Sequence, residues 1–215
     1  MDPLFRPLAP GFVHHWGGAG LLVARRADLT HLPLRLSPAE QRVARTLPAG
    51  RRSGWMAGRL LAKRLAGELV GAPSREVEVL PREDGSPQLL VGGRPLSSLH
   101  VSISHAPGHT AAALAPGPVG VDVCETASAA AVRRAADHAF SPAELSLLGA
   151  GRADALAGAW ALKEAAVKAD RGGVPGTAPR RIPLLGLRPP ALGGPRRAMA
   201  WQSGDAVVAL VLAHP

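Results

Sequence analysis

Trp160 to Lys168 reads W-A-L-K-E-A-A-V-K, a run of strong helix formers without glycine or proline. Wound at about 100° per residue, Trp160, Lys163, Glu164, Val167 and Lys168 share one sector. Ala161, Leu162, Ala165 and Ala166 fill the rest. Such a helix is buried over most of its girth and carries a single charged stripe. Unpaired buried charge is expensive, so the fold must bring that stripe a partner. An i,i+4 pair between Glu164 and Lys168 would contribute only roughly 0.2–0.5 kcal/mol.

A second stretch lies upstream. Val119 to Glu125, V-G-V-D-V-C-E, alternates as a strand does. Val119, Val121 and Val123 take one face. Gly120, Asp122 and Cys124 take the other, leaving Asp122 as the one acid among small residues there. Strand alternation puts Glu125 on the face opposite Asp122.

Helix starts recur. Ser37-Pro38-Ala39-Glu40 combines a serine cap, proline in the first turn and glutamate three residues after the cap, and Ser141-Pro142-Ala143-Glu144 repeats it. Arg51 to Val70 is the strongest helix. Ala57, Gly58, Leu61, Ala62, Leu65 and Leu69 fall on one face, and Arg52, Arg59 and Lys63 align on another. A row of cations on a rigid, core-packed element suits phosphate. Leu99 to His105, L-H-V-S-I-S-H, is a strand by alternation. Thr110 to Ala115 is another, and Pro116-Gly117-Pro118 is expected to turn it into Val119 to Cys124 as a hairpin. The Gly-, Pro- and Arg-rich residues after Lys168 read as a loop. Ala198 to Ala213, interrupted at Ser203-Gly204-Asp205, reads as a closing hairpin.

The 215 residues, 47% hydrophobic, suffice for one large domain or two small lobes. The repeated capping pattern hints at two halves, each with strand, capped helix, helix and strands. One cysteine allows no internal disulfide, which fits a reducing cytoplasm. The N-terminus does not read as a signal peptide, and the longest clean apolar run, Ala206 to Ala213, is too short for a bilayer. The net charge of +9 is concentrated. Between Gln41 and Gly67 stand Arg42, Arg45, Arg51, Arg52, Arg59, Lys63 and Arg64, with no acid. Such a patch implies a solvated face or a polyanion: nucleic acid, a phosphorylated cofactor or an acidic protein. With 3% aromatic residues, no zinc-ligand spacing and its cations on core-packed helices, the chain is a poor nucleic-acid binder.

Gly120-Val121-Asp122, then Phe140-Ser141-Pro142-Ala143-Glu144, then Trp160, Lys163, Glu164 and Lys168, stand in the order G-[IV]-D, F-S-x-x-E, W-x-x-K-E-x-x-x-K. That combination resembles the surfactin-type 4'-phosphopantetheinyl transferases. The resemblance covers most of the chain. Arg51 to Arg59 looks like the family's helix that holds the 3'-phosphate of coenzyme A, with Arg51 or Arg52 as the matching residue. Gly85-Ser86-Pro87 stands where the family carries G-x-P against the adenine. Val101 to His105 matches the segment whose serine and histidine contact coenzyme A phosphates, here Ser104 and His105.

The resemblance implies an α+β fold of two similar lobes related by a pseudo-two-fold, with the active site between them. The lobes would be residues 1–107, on the 3'-phosphate and adenine side, and residues 108–215, carrying the metal and catalytic residues. It implies transfer of the 4'-phosphopantetheine arm of coenzyme A to a serine of an acyl or peptidyl carrier protein, releasing 3',5'-ADP. Asp122 and Glu164 would bind Mg2+, an ion that one or two carboxylates commonly hold together with waters and phosphates. Glu164 would also be the base, Lys168 would contact the α-phosphate, and Lys163 and Arg59 would support the phosphates. Carriers of peptide synthetases, polyketide synthases or fatty-acid synthesis would all serve. The expected protein is a cytoplasmic monomer that meets neither membrane nor nucleic acid. Many members read G-[IV]-D-x-E, and here Cys124 takes the place of that glutamate. Two carboxylate ligands with a water in the third place are therefore expected, unless a bulge rescues Glu125. The rival reading is a coenzyme A or nucleotide-binding module without turnover.

Overall fold

The structure, a computed structural model, describes residues 3–31, 35–149, 152–170 and 179–213. The fold is α+β, and the chain divides into two compact units: Pro10–Gly117, and Pro118–Pro215 together with Met1–Ala9. The division falls later than the boundary expected at residue 107, for a physical reason. Strand β7 (His100–His105) pairs with β8 (His109–Ala115) along its whole length, so a cut at 107 would split a hairpin. The first residues join the far end of the chain because β1 (Arg6–Pro7) runs parallel to β12 (Arg196–Ser203), Arg6 opposite Trp201.

In Pro10–Gly117 the main sheet has the order β2 (Val13–Trp16), β3 (Ala19–Arg25), β8, β7. Strand β8 is buried throughout because it is central. A smaller sheet holds β4 (Val77–Pro81), β5 (Pro87–Val91) and β6 (Arg94–Pro95). Helix α1 (Arg26–Leu29) is a single turn, and α2 (Pro38–Thr46) begins at Ser37 with the full capping box. Helix α3 (Ala49–Val70) ends at Gly71, whose φ of 68° supplies the left-handed stop. Leu61, Ala62, Leu65 and Ala66 of α3 pack with Leu22, Ala112 and Leu114 of the sheet.

In the other unit the sheet order is β1, β12, β13 (Ala206–Ala213), β9 (Val119–Glu125). The closing hairpin of β12 and β13 forms as its pattern predicts. The expected hairpin of β8 with β9 does not form. Strand β8 has both edges filled, by β3 and β7, and β9 pairs with β13, Val121 opposite Leu210. Pro116-Gly117-Pro118 is a connection between two sheets. Short helices α4 (Ala129–Arg134), α5 (Ala136–Ala139) and α6 (Pro142–Leu148) precede α7 (Ala153–Ala169), and β10 (Leu184–Leu187) pairs with β11 (Pro190–Leu192). Ala157, Ala161, Leu162, Ala165 and Ala166 of α7 form one core with Val207, Ala209 and Val211 of β13. Among the described residues no helix is long and apolar enough to cross a membrane.

Candidate functional site

Helix α7 lies against β9 at backbone contact distance. A Cβ built on Gly120 would fall 1.8 Å from the carbonyl oxygen of Ala165 and 2.6 Å from the amide nitrogen of Ala169. Only glycine fits. The glycine of the G-V-D motif is thus a packing requirement, and it sets the distance at which the next residue on that face, Asp122, meets the helix.

The meeting is an ion pair. Lys168 Nζ donates to Asp122 Oδ1 at 2.6 Å and to the Val121 carbonyl at 3.0 Å. Both side chains are sheltered, 19% exposed for Lys168 and 10% for Asp122. Glu164, half-buried, stands one turn before Lys168 on the same helix. The charged stripe, which needed a partner, has one in the carboxylate of β9. The pairing of β9 with β13 runs without a register shift from Val119 to Glu125. No bulge follows Asp122, so Glu125 stays on the face opposite it and Cys124 shares its face. Cys124 is buried, and its thiol is pushed up to about 12 by burial, with the charges of Asp122 and Glu125 adding to the effect. A neutral thiol is a poor ligand for a hard ion such as Mg2+.

Asp122 and Glu164 are hard oxygen donors, and the strand already presents Asp122 to a cation, the ammonium of Lys168. Among the described residues no three His, Cys, Asp or Glu side chains gather into a ligand group. A two-carboxylate set fits an ion such as Mg2+ that completes its shell with water and substrate oxygens, and does not fit zinc.

Lys163 departs from its expected role. It is fully buried, and its ammonium bonds Glu144 Oε1 at 2.6 Å and the Ala139 carbonyl at 2.6 Å. Its ammonium is engaged inside the fold rather than presented to a ligand. Glu144 closes the capping box on the Ser141 amide at 2.6 Å and accepts the Leu184 amide at 2.6 Å. Burial alone would raise its carboxyl, but Lys163 and the two amides outweigh it and hold the carboxyl below its ordinary value. Burial lowers the Lys163 ammonium, against the opposing pull of Glu144. The other unit repeats the device. Glu40 accepts the Ser37 amide at 2.8 Å, the Val79 amide at 2.9 Å and Lys63 Nζ at 2.5 Å, and both charged side chains are buried.

That repeat bears on the expected row of phosphate-binding cations on α3. Lys63 is spent on Glu40. Arg59 is 7% exposed, donates to the Val79 carbonyl at 3.3 Å and stacks 3.9 Å over the Trp55 ring. Burial lowers its guanidinium to about 10, against the opposing charge of Glu40. Arg52 donates to the carbonyls of Ala44 at 3.0 Å and Leu47 at 3.2 Å, closing the end of α2. Helix α2 and strand β4 cover Arg59 and Lys63 on this face of α3, while Arg52 stays exposed at its end. Arg51, one place earlier, is exposed as well.

Other expected residues do come together. The His105 ring lies against α3 at Gly54, where a Cβ would fall 3.3 Å from the ring, close to Arg51 along the helix. His105 is exposed at the end of β7 and Ser104 is buried beside it. Arg26, which sequence reasoning missed, joins this corner: its guanidinium bonds Ser53 Oγ at 2.6 Å and the Pro107 carbonyl at 3.2 Å. Its position between a buried strand and a short helix was the available signal. Arg26, Ser53, Met56 and Pro107 line a cavity of about 540 Å³. Gly85 (φ 80°) lies exposed in the turn between β4 and β5, Pro87 opens β5 half-buried, and Ser86 between them donates its amide and hydroxyl to Asp84.

Comparison with known proteins bears on one part of this picture. No curated protein matches the chain. Among solved structures, the chain is similar to a holo-(acyl-carrier-protein) synthase from Bacillus anthracis str. Ames in complex with CoA (3',5'-ADP). Identity is 24% over 45% of this chain and 92% of that one, with a TM-score of 0.38. A Chronobacterium ammoniagenes ACPS–CoA complex gives 25% identity over 45% of this chain and 93% of that one, with a TM-score of 0.36. Residues 118–205, the stretch that carries Asp122, Glu144, Glu164 and Lys168, match the family model of the 4'-phosphopantetheinyl transferase superfamily.

Proposed function

We propose that the chain transfers the 4'-phosphopantetheine arm of coenzyme A to a serine hydroxyl of an acyl or peptidyl carrier protein and releases 3',5'-ADP. The observation that carries the reading is the sheltered Lys168–Asp122 pair, with Glu164 one turn away, inside the segment that matches the superfamily.

Asp122 and Glu164 would hold Mg2+, which supplies charge neutralisation for the pyrophosphate when bound. Glu164 takes the proton of the carrier serine, directly or through a water. The serine oxygen forms its bond to the phosphorus bearing the pantetheine arm. The bridging P–O bond breaks, and its electron pair leaves with the α-phosphate of 3',5'-ADP. Lys168 neutralises that developing charge. Such transfers depend mostly on positioning and electrostatics. Arg51 and His105, with Ser104 beside them, are proposed to hold the 3'-phosphate, and Gly85 and Pro87 to lie against the adenine. The net charge of +9 suits carriers with acidic docking helices. A peptide-synthetase or polyketide-synthase carrier, a monomeric enzyme and a cytoplasmic setting belong to the same proposal.

The test is mass spectrometry of an apo carrier protein after incubation with coenzyme A and Mg2+. Wild type adds one phosphopantetheine, and Glu164→Gln adds none while keeping its fold. Full turnover by Glu164→Gln at saturating Mg2+ refutes the mechanism. One observation favours the reading without turnover: Cys124 stands where many resembling proteins carry a third carboxylate. Coenzyme A binding by calorimetry with every carrier left unmodified would select it.

A further inference from the structure

We propose that Lys168 is a displaceable cation: it occupies Asp122 until a diphosphate arrives, and so couples metal loading to coenzyme A binding. The proposal rests on the transfer reading above.

Its starting point is the position of the ammonium. Lys168 Nζ stands 2.6 Å from Asp122 Oδ1, on the carboxylate nominated for the metal. A magnesium-sized ion sits about 2.1 Å from its carboxylate oxygen. An ammonium and a divalent ion cannot both stand that close to one sheltered carboxylate without strong repulsion. Loading the ion on Asp122 therefore weakens the hold on Lys168 and favours its turning away. Its flexible four-carbon stem permits this. It needs another anion to turn to, because leaving a half-buried ammonium unpaired is costly. The diphosphate offers one, through a charge-assisted hydrogen bond stronger than an ordinary one. Two states follow. Without substrate, Lys168 closes the carboxylate; with substrate, Lys168 goes to the phosphate and Asp122 goes to the ion. Linkage is reciprocal, so coenzyme A tightens the ion and the ion tightens coenzyme A. Part of that coupling belongs to Lys168, beyond any direct bridging of the ion by phosphate oxygens.

The experiment is a Mn2+ titration followed by electron paramagnetic resonance, on the full chain, with and without coenzyme A. Wild type, Lys168→Met, Lys168→Gln and Asp122→Asn are compared, each checked for its folded circular-dichroism spectrum. Without coenzyme A, the two Lys168 variants are expected to bind Mn2+ about tenfold more tightly than wild type, the equivalent of one lost charge-assisted bond. Coenzyme A should then tighten Mn2+ in wild type by a larger factor than in either variant. Equal Mn2+ affinity in wild type and both Lys168 variants without coenzyme A overturns the proposal, while carrier modification by wild type leaves the transfer reading standing. Mn2+ binding undiminished in Asp122→Asn also overturns it. A carrier that wild type never modifies removes the reading beneath it.

Discussion

Lys163→Met separates two roles for a lysine adjacent to the proposed base. In the structure Lys163 is the buried half of an ion pair with Glu144, at 2.6 Å, and holds the Ala139 carbonyl as well. Methionine fills a similar volume but removes the charge, leaving Glu144 with the Ser141 and Leu184 amides alone. Removing one partner of a buried pair costs about 3–5 kcal/mol. For a chain of this size that lowers Tm by roughly 6–20 °C. Replacing both members, Glu144→Gln with Lys163→Met, should recover a large part of the loss, since no unpaired charge then remains. Acid adds a second readout. The folded carboxyl of Glu144 is held below its unfolded value, so its stabilisation is present above about pH 4.3 and is lost as pH falls through the folded value. In Lys163→Met that loss should begin at higher pH than in wild type. Thermal melts between pH 3 and 8, with carrier modification measured well below Tm, make the assay. A variant that melts like wild type but has a much higher KM for coenzyme A refutes the reasoning and returns Lys163 to the phosphates.

Three further outcomes are expected. Arg51→Ala should raise KM for coenzyme A far more than for 3'-dephospho-coenzyme A, whereas Arg52→Ala should mainly lower stability, by ~1 kcal/mol per lost carbonyl bond; the reverse pattern assigns the phosphate to Arg52. Gly120→Ala should destabilise by ~3 kcal/mol or more in urea denaturation, because its Cβ meets the α7 backbone rather than a movable side chain; a neutral change means α7 does not press on β9. Cys124→Glu should tighten the Mg2+ dependence of transfer and Glu125→Ala should leave it unmoved, since the unbroken register puts only position 124 on the face of Asp122; the opposite result requires a bulge.

Local chemistry was legible wherever one segment settles it. Both capping boxes formed at the predicted serines, the V-G-V-D-V-C-E alternation held through the whole strand, and the charged stripe of α7 found Asp122. What the sequence concealed was the use of charge between distant segments. Arg52, Arg59 and Lys63 share a helical face, which is what a phosphate site requires, but helix periodicity says nothing about what will cover that face. Helix α2 and strand β4 cover Arg59 and Lys63 on it, and the cations went to Glu40, to Val79 and to the end of α2. A usable signal was present all the same. A capping box engages one glutamate oxygen, and a glutamate drawn into the core must satisfy the other as well. Glu144 did so with a strand amide and a lysine from the following long helix; Glu40 did so with a strand amide, its lysine sharing the oxygen that caps the helix. The S-P-A-E pattern, read with a lysine on the next apolar helix, therefore predicts a buried strut. By that rule Lys63 and Lys163 are claimed by the fold, and Lys168, which has no such glutamate behind it, is the lysine to which the proposed transfer assigns a role.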